Sequence, residues 1–467
     1  MKLTKICLLL AVALGACAPK KEIKAGGDSG VGVWLTTGDQ ISLLAKQNNL
    51  PIASSSNNNP TIEVNATQTY QSIDGFGFTL TGGSASLING LPKAEKEALI
   101  KEIFSAQGKG IGSSYLRISI GASDLSADTF TYNDLPTGQT DVNQDKFSIA
   151  KEMTDLVPLL KMIVAVNPSI KILGSPWSAP AWMKTNNSFK GGSLKPEYYA
   201  SYAKYFIKYL AAMKAQGINI DAITIQNEPL HPGNVPSMYM EAVDQAAFIK
   251  TALGPAFKNA GINTKIILYD HNADKPEYPI SILNDAEAKQ YVDGSAFHLY
   301  GGDINALTKV HDAHPDRNLY FTEQWVGGPG NFAEDLKWHV STLIIGATRN
   351  WSKNVLEWNL AADAAYNPHT VGGCTNCLGA ITISPAITRN VAYYVIGHAA
   401  KFVSPGSVRI ASNIIKRLEN VAFKTPEGKI VLIVANNNST VQNFNIKSNS
   451  KAVNASLPAG AVATYVF

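Results

Sequence analysis

The sequence predicts an α/β fold: a (β/α)8 barrel with an appended β-sandwich built from N- and C-terminal strands. Three observations carry this. Strand-like runs at 74–80, 114–120, 170–175, 222–226, 265–270, 294–300, 318–323 and 355–360 are rich in β-branched, aromatic and apolar residues. Helix-like segments follow them at 93–105, 149–166, 196–216, 238–260, 280–289, 304–314, 333–349 and 388–402. Eight such alternations over roughly 250 or more residues are what a closed parallel barrel requires. The flanks read differently. Segments 31–37 and 61–70, and the chain after 403, are short strands with turns such as Pro426-Glu427-Gly428 and Pro458-Ala459-Gly460, the spacing of a sandwich.

In chain order, Met1-Lys2-Leu3-Thr4-Lys5 is basic and residues 6–13 are apolar but too short for a permanent span. Leu14-Gly15-Ala16-Cys17 has the pattern of a bacterial lipoprotein signal, in which cleavage before Cys17 leaves its thiol to carry lipid. An ordinary secretory peptide cut after Ala16 is the plainer alternative. Residues 18–30 are small and polar, as a tether should be. The expected organisation is a signal at 1–17, a tether at 18–30, sandwich strands at 31–70, the barrel at 71–401 and the rest of the sandwich at 402–467. The expected location is the bacterial cell envelope, at the outer membrane or cell surface, through a lipid anchor alone.

Within the barrel, Met153, Leu156, Leu159, Leu160 and Ile163 recur at helical spacing. After it, strands are expected at 408–411, 414–418, 421–424, 429–436, 441–446 and 461–467. The two early strand segments have no other sheet to join.

Length and charge bound the function. A chain of 467 residues holds one large and one small domain. The net charge of +4 includes signal and tether lysines, and no basic block follows them, which argues against a nucleic-acid partner. Of four cysteines, Cys7 and Cys17 belong to the signal, and Cys374 and Cys377 form one C-x-x-C. One such pair cannot complete a zinc site, and no histidine spacing completes it. In an oxidising compartment it reads as a disulfide stapling a loop. Gly82-Gly83-Ser84 lacks dinucleotide-binding spacing. No metal or cofactor is expected.

The chemistry lies in two carboxylates. Glu228, in Thr224-Ile225-Gln226-Asn227-Glu228-Pro229, is expected to end the fourth strand, and Glu323, in Phe321-Thr322-Glu323-Gln324-Trp325, the seventh. Catalytic groups project from strand C-termini in such barrels, so the two can face each other across the mouth. A buried carboxylate is costly unless paired or working. A glycosidic bond needs two: one to protonate the leaving oxygen, one to attack or to activate water.

Further blocks specify a family. Asp74-Gly75-Phe76-Gly77, Leu116-Arg117-Ile118-Ser119, Ala122-Ser123-Asp124, Ser175-Pro176-Trp177-Ser178-Ala179-Pro180-Ala181-Trp182, Asn227-Glu228-Pro229, Phe297-His298-Leu299-Tyr300, Thr322-Glu323 and Glu357-Trp358-Asn359 occur in that order. With them the chain resembles glycoside hydrolase family 30, the group of glucosylceramidases and β-1,6-glucanases. The resemblance implies a barrel joined to a two-ended sandwich, Glu228 as acid/base and Glu323 as nucleophile. It also implies Asn227 as donor to the sugar 2-hydroxyl, Arg117 as a substrate-binding cation beside Glu323, and Asp124 as a sugar-hydroxyl acceptor. Trp177 and Trp358 would wall the subsite, Trp177 being nearer its strand than Trp182. His298 and Tyr300 would contact substrate at the end of the sixth strand, and His271 would line the same mouth. Asp124 as a turn cap and His298 as a core histidine remain open readings. Glu228 is expected protonated and Glu323 ionised, which predicts retention and carboxylates about 5–5.5 Å apart.

Two departures bear on substrate. Gly82 stands where glucosylceramidases commonly carry an acidic residue, and the loop 361–381 does not match the animal enzyme. Val33-Trp34-Leu35, the run 78–85 and the Cys374/Cys377 loop look more like the β-1,6-glucanase branch. The expectation is a retaining β-1,6-glucanase acting on β-glucan. A glucosylceramidase-like exo-β-glucosidase is the nearest alternative, and a non-catalytic glycan-binding lipoprotein is the alternative of another class.

Overall fold

The computed structural model describes residues 30–53, 57–448 and 451–467; the expected signal, Cys17 and nearly all of the expected tether lie outside the described residues. Among the described residues, eight parallel strands close into a barrel: Gly75–Leu80, Tyr115–Ser119, Lys171–Ser175, Ala222–Thr224, Lys265–Ala273, Gly294–Gly302, Asn318–Glu323 and Ser352–Asn359. The last pairs with the first, Asn354 opposite Gly75 and Glu357 opposite Phe78.

Side chains alternate across each strand, and that period sorts this barrel into layers. Leu116, Ile172, Ile223, Ile266, Phe297, Phe321 and Val355 point out into the core shared with the helices. Tyr115, Leu173, Ala222, Ile267, Ala296, Tyr320 and Leu356 point in and form a closed apolar layer. Two residues further along most strands, the inward positions become polar: Arg117, Ser175, Thr224, His298 and Thr322, all buried. The site stands on this polar layer.

The helices differ in detail from expectation. Gly82–Asn89, read from sequence only as a glycine run, is a helix capped by Thr81, whose side chain accepts from the Ser84 N–H. The segment expected as one helix at 238–260 starts at Ala242 and passes through a π-helical stretch, Ile249–Leu253. None of the described helices is long and apolar enough to cross a membrane.

Nine further described strands form one hydrogen-bonded sheet in the order Ala45–Lys46, Gly32–Thr36, Val462–Val466, Ile430–Asn436, Leu418–Lys424, Val408–Ser412, Thr61–Ser72, Gln442–Ser448, Lys451–Leu457. Leu432 and Val434 share a core with Phe444, Ile446, Val453 and Leu457 from the far end of that order, so the sheet folds over itself as a sandwich. Both ends of the chain contribute: Val33 lies opposite Tyr465 and Ile62 opposite Ile446. Ile430–Asn436 is buried on both faces, with Val431, Ile433 and Ala435 against the barrel's core and Leu432 and Val434 inside the sandwich. His398, on the helix Val391–Ala400, fastens the two bodies through Thr464 Oγ1 at 2.9 Å and Thr36 Oγ1 at 2.8 Å.

The strand expected at 414–418 is a turn carrying one bridge between Ile415 and Leu418, with Arg417 in the left-handed region at φ 62°. The strand Lys451–Leu457 was not anticipated; its Ala, Asn and Ser are poor strand formers, yet Val453, Ala455 and Leu457 alternate into the core.

Candidate active site

Three local features bring the carboxylates over the polar layer. The fourth strand stops at Thr224, and Glu228 sits four residues on with φ 46°, a left-handed conformation that costs on the order of 1 kcal/mol for a side-chain-bearing residue. It is fixed by backbone bonds from Glu228 N to Asp270 O (3.0 Å) and from Asn227 N to Pro176 O (2.8 Å). On the fifth strand Tyr269 and Asp270 are both left-handed, at φ 70° and 63°, and the register shifts beside them. Such a bulge re-aims side chains, and Asp270 turns into the barrel. Glu323 ends its own strand opposite His298 across a second register shift.

The result is a buried network of hydrogen bonds and ion pairs. Arg117 donates to Asp270 Oδ2 (2.8 Å), Asn227 Oδ1 (2.6 Å) and Ser175 Oγ (3.1 Å), and its Nη1 pairs with Glu323 Oε2. His298 bridges Glu228 Oε1 (3.2 Å) and Asp270 Oδ1 (3.0 Å). Tyr300 donates its hydroxyl to Glu323 Oε1 at 2.9 Å, and Asn234 Nδ2 reaches Glu228 Oε2 at 3.3 Å. One oxygen of each glutamate and a ring nitrogen of His298 lie within 4.8 Å of one another. That trio has the spacing of a cation site. Both ring nitrogens are already engaged by carboxylates, however, which suits proton traffic rather than coordination.

Charge follows geometry. Burial raises the Asp270 carboxyl, but Arg117, His298 and Thr322 outweigh it and hold it well below the usual range. Burial lowers His298, yet Glu323, Asp270 and Glu228 lift it to about 9, so it is a cation at neutral pH. Burial, reinforced by the charges of Glu323 and Glu228, pushes Asp124 up to about 7. Two cations, Arg117 and His298, therefore face Asp270 and the glutamate pair, which titrates as a unit. Burial raises Glu323 in the free enzyme, while the hydrogen bond and charge of His298 overcome burial and lower Glu228. This is the reverse of the order expected from sequence. The protonated partner of Glu228 was the missing element. Each glutamate has two donors within reach: His298 and Asn234 for Glu228, Arg117 and Tyr300 for Glu323.

Above the network opens a cavity of about 590 Å³. Of the residues named from sequence, Glu228, Glu323, Asp124, Trp177, Asn227, Tyr300, Trp358, His271, Cys374 and Cys377 line it. Trp177 and Trp358 stack with ring centroids 5.4 Å apart. Asp124 faces the cavity and its carboxyl takes the Cys374 backbone N–H. The disulfide Cys374–Cys377 closes the loop there, and Cys377 packs with Leu125, Trp177 and Trp358. Trp182 belongs to the core, its Nε1 donating to Asn133 O.

Arg117 and His298, expected to touch substrate, do not reach the cavity: both are fully buried beneath the carboxylates. They occupy the inward polar layer, one layer too deep for a ligand, and act by positioning. Sequence reasoning missed Asp270, although an acid after Ile266-Ile267-Leu268-Tyr269 is the same strand-end signal that marked Glu323. It also missed Gln324, Trp325 and Trp338 in the wall.

A barrel whose mouth holds two carboxyl groups this close, under an aromatic wall, defines a glycosidase of the double-displacement class. Comparison with known proteins agrees. The Glycosyl hydrolase family 30 TIM-barrel domain matches residues 73–403, and the family's beta sandwich domain matches 406–465. An Endo-1,6-beta-D-glucanase of Neurospora crassa is 37% identical over 355 residues, covering 72% of each chain. Lysosomal acid glucosylceramidase of Mus musculus is 29% identical, covering 79% of this chain and 76% of that one. The solved endo-beta1,6-glucanase BT3312 superposes with a TM-score of 0.88 at 35% identity, covering 94% of this chain and 99% of its own. The chain belongs to glycosyl hydrolase family 30.

Proposed function

We propose that the protein hydrolyses β-1,6-linked glucan with net retention, Glu323 serving as nucleophile and Glu228 as acid/base. The carrying observation is the approach of the two carboxyl groups to within 4.8 Å. An inverting site needs about 6.5–9.5 Å to admit a water between them, whereas direct attack needs about 5–5.5 Å.

In the reactive state Glu228 carries a proton, and Glu323 is the anion held by Arg117 and Tyr300. Glu323 attacks the anomeric carbon as the C–O bond to the leaving sugar breaks, and Glu228 gives its proton to that oxygen. Esterification removes the negative charge of Glu323, so Glu228, now ionised, takes a proton from water. The water oxygen bonds to the anomeric carbon, and Glu323 departs as carboxylate. Because Asn227 Oδ1 is taken by Arg117, its amide N–H2 is left for the sugar 2-hydroxyl, a contact that strengthens in the transition state.

The linkage is supported by the glucanase relatives, which are more similar to this chain than the mouse glucosylceramidase. The test is a time course on β-1,6-glucan with protein lacking residues 1–17. A ladder of β-1,6-oligosaccharides released first as β-anomers is expected. No sugar release would overturn the assignment in favour of glucosides with other aglycones. The Leu14-Gly15-Ala16-Cys17 pattern further supports attachment to the cell envelope by lipid on Cys17. The mass of the mature N-terminal peptide tests it, and an unmodified peptide beginning elsewhere sinks it.

A further inference from the structure

The leaving oxygen must lie at Glu228, since Glu228 protonates it. Whatever the leaving group carries beyond that oxygen meets the part of the wall beside Glu228, where Asn234, His271 and His231 stand. Four residues there are imidazoles or amides: His231, Asn234, His271 and Asn272. An apolar aglycone would strip water from these groups and give nothing back. A sugar would replace that water with hydroxyls.

One of the four is incomplete without a ligand. His271 directly follows the inverted Asp270 and lines the cavity, yet is only 7% exposed. Its Nδ1 is closed off from the cavity, whereas its Nε2 is reached by solvent and has no hydrogen-bond partner among the described residues. The imidazole stands edge-on to His298, ring centroids 6.4 Å apart, and tilted against Tyr269 at 5.7 Å. Burial lowers its pKa to about 4, so at neutral pH it is an uncharged ring with one donor and one acceptor. A site built to bond a hydroxyl discriminates strongly against ligands lacking it.

We infer that His271 is a specificity-determining residue: one ring nitrogen bonds a hydroxyl of the departing sugar and selects carbohydrate over apolar leaving groups. This rests on the glucanase reading for the identity of that sugar, but not for its chemistry.

The test compares kcat/KM on a β-1,6-linked glucotriose with kcat/KM on 4-nitrophenyl β-glucoside, whose leaving group offers no sugar hydroxyls. His271→Phe keeps a ring and removes both nitrogens; His271→Gln restores an amide and guards against misfolding. The ratio of the two constants should fall on the order of tenfold in His271→Phe and recover in part in His271→Gln. A ratio unmoved in both variants, whether both substrates suffer equally or neither does, overturns the inference. If the wild-type enzyme leaves the β-1,6 trisaccharide intact, the linkage reading alone fails. The same ratio is then taken with β-1,3- and β-1,4-linked glucobioses, and an unmoved ratio there overturns the role of His271.

Discussion

The Asp270 carboxylate meets the Arg117 guanidinium at 2.8 Å in an ion pair from which solvent is wholly excluded. Asp270 also takes hydrogen bonds from Thr224, Thr322 and His298. It thus orients both cations that touch the glutamates. Breaking one side of a buried pair costs about 3–5 kcal/mol, because the other charge is left uncompensated. Asp270→Asn should lower unfolding free energy by that order, measured by urea denaturation, and reduce kcat as well. A loss below about 1 kcal/mol would show that the pair is not the keystone argued for here.

Glu228→Gln and Glu323→Gln should differ in kind. Without a nucleophile, Glu323→Gln should turn over no glucoside. Glu228→Gln should lose about 10²–10⁴ in rate on glucan, yet still release nitrophenol from 4-nitrophenyl β-glucoside in a burst, since that leaving group needs no proton. Azide, which needs no base, should speed the slow phase and yield β-glucosyl azide. An α-azide product would contradict double displacement.

Acid should loosen the junction between barrel and sandwich through His398. Burial holds its pKa down at about 3, with both ring nitrogens occupied by threonine hydroxyls. An unfolded histidine titrates near 6.5, so below that pH the unfolded chain binds a proton that the folded one refuses. The contribution is complete above about pH 6.5 and drains as pH falls toward 3, at up to about 1.4 kcal/mol per unit. Urea stability at pH 7 and pH 5 should therefore differ less in His398→Gln than in the wild type. Equal slopes would remove His398 from the account.

Reducing the Cys374–Cys377 disulfide should act on substrate binding. The loop it closes presents the Cys374 N–H to the Asp124 carboxyl and packs Cys377 on the tryptophan stack. Freed, the loop must be ordered again at each binding event, and that entropy appears as weaker affinity. KM on β-1,6-glucan should rise several-fold after reduction, or in Cys374→Ser/Cys377→Ser, with kcat changing less. A fall in kcat at constant KM would mean that the loop instead serves the bond-breaking step.

Much of this was legible in the sequence because its signals are local. Glu228 and Glu323 follow apolar runs, and strand ends are where barrels place chemistry. Depth was not legible. Arg117 and His298 carry the right chemistry but sit one inward layer below the cavity, which depends on how eight strands stagger. Asp270 escaped notice because simple alternation makes Tyr269 the inward residue, and only the two left-handed residues reverse them. The resting proton order escaped too, since it depends on a protonated His298 whose partners come from two strands and the loop after a third. Lys451–Leu457 was missed for a plainer reason: Ala, Asn and Ser hide an alternation that packing makes obvious.

The sheet order has a consequence for how the molecule is made. Val33 pairs with Tyr465, and the strand containing Ile433 separates the barrel from the rest of the sandwich. At roughly 5–20 residues per second of synthesis, strand Gly32–Thr36 waits on the order of half a minute for the neighbour that completes it. Throughout that interval the edge of Gly32–Thr36 that later pairs with Val462–Val466 stays without its partner strand. The barrel, closed only once Ser352–Asn359 is made, waits on the later Ile430–Asn436 to cover its flank.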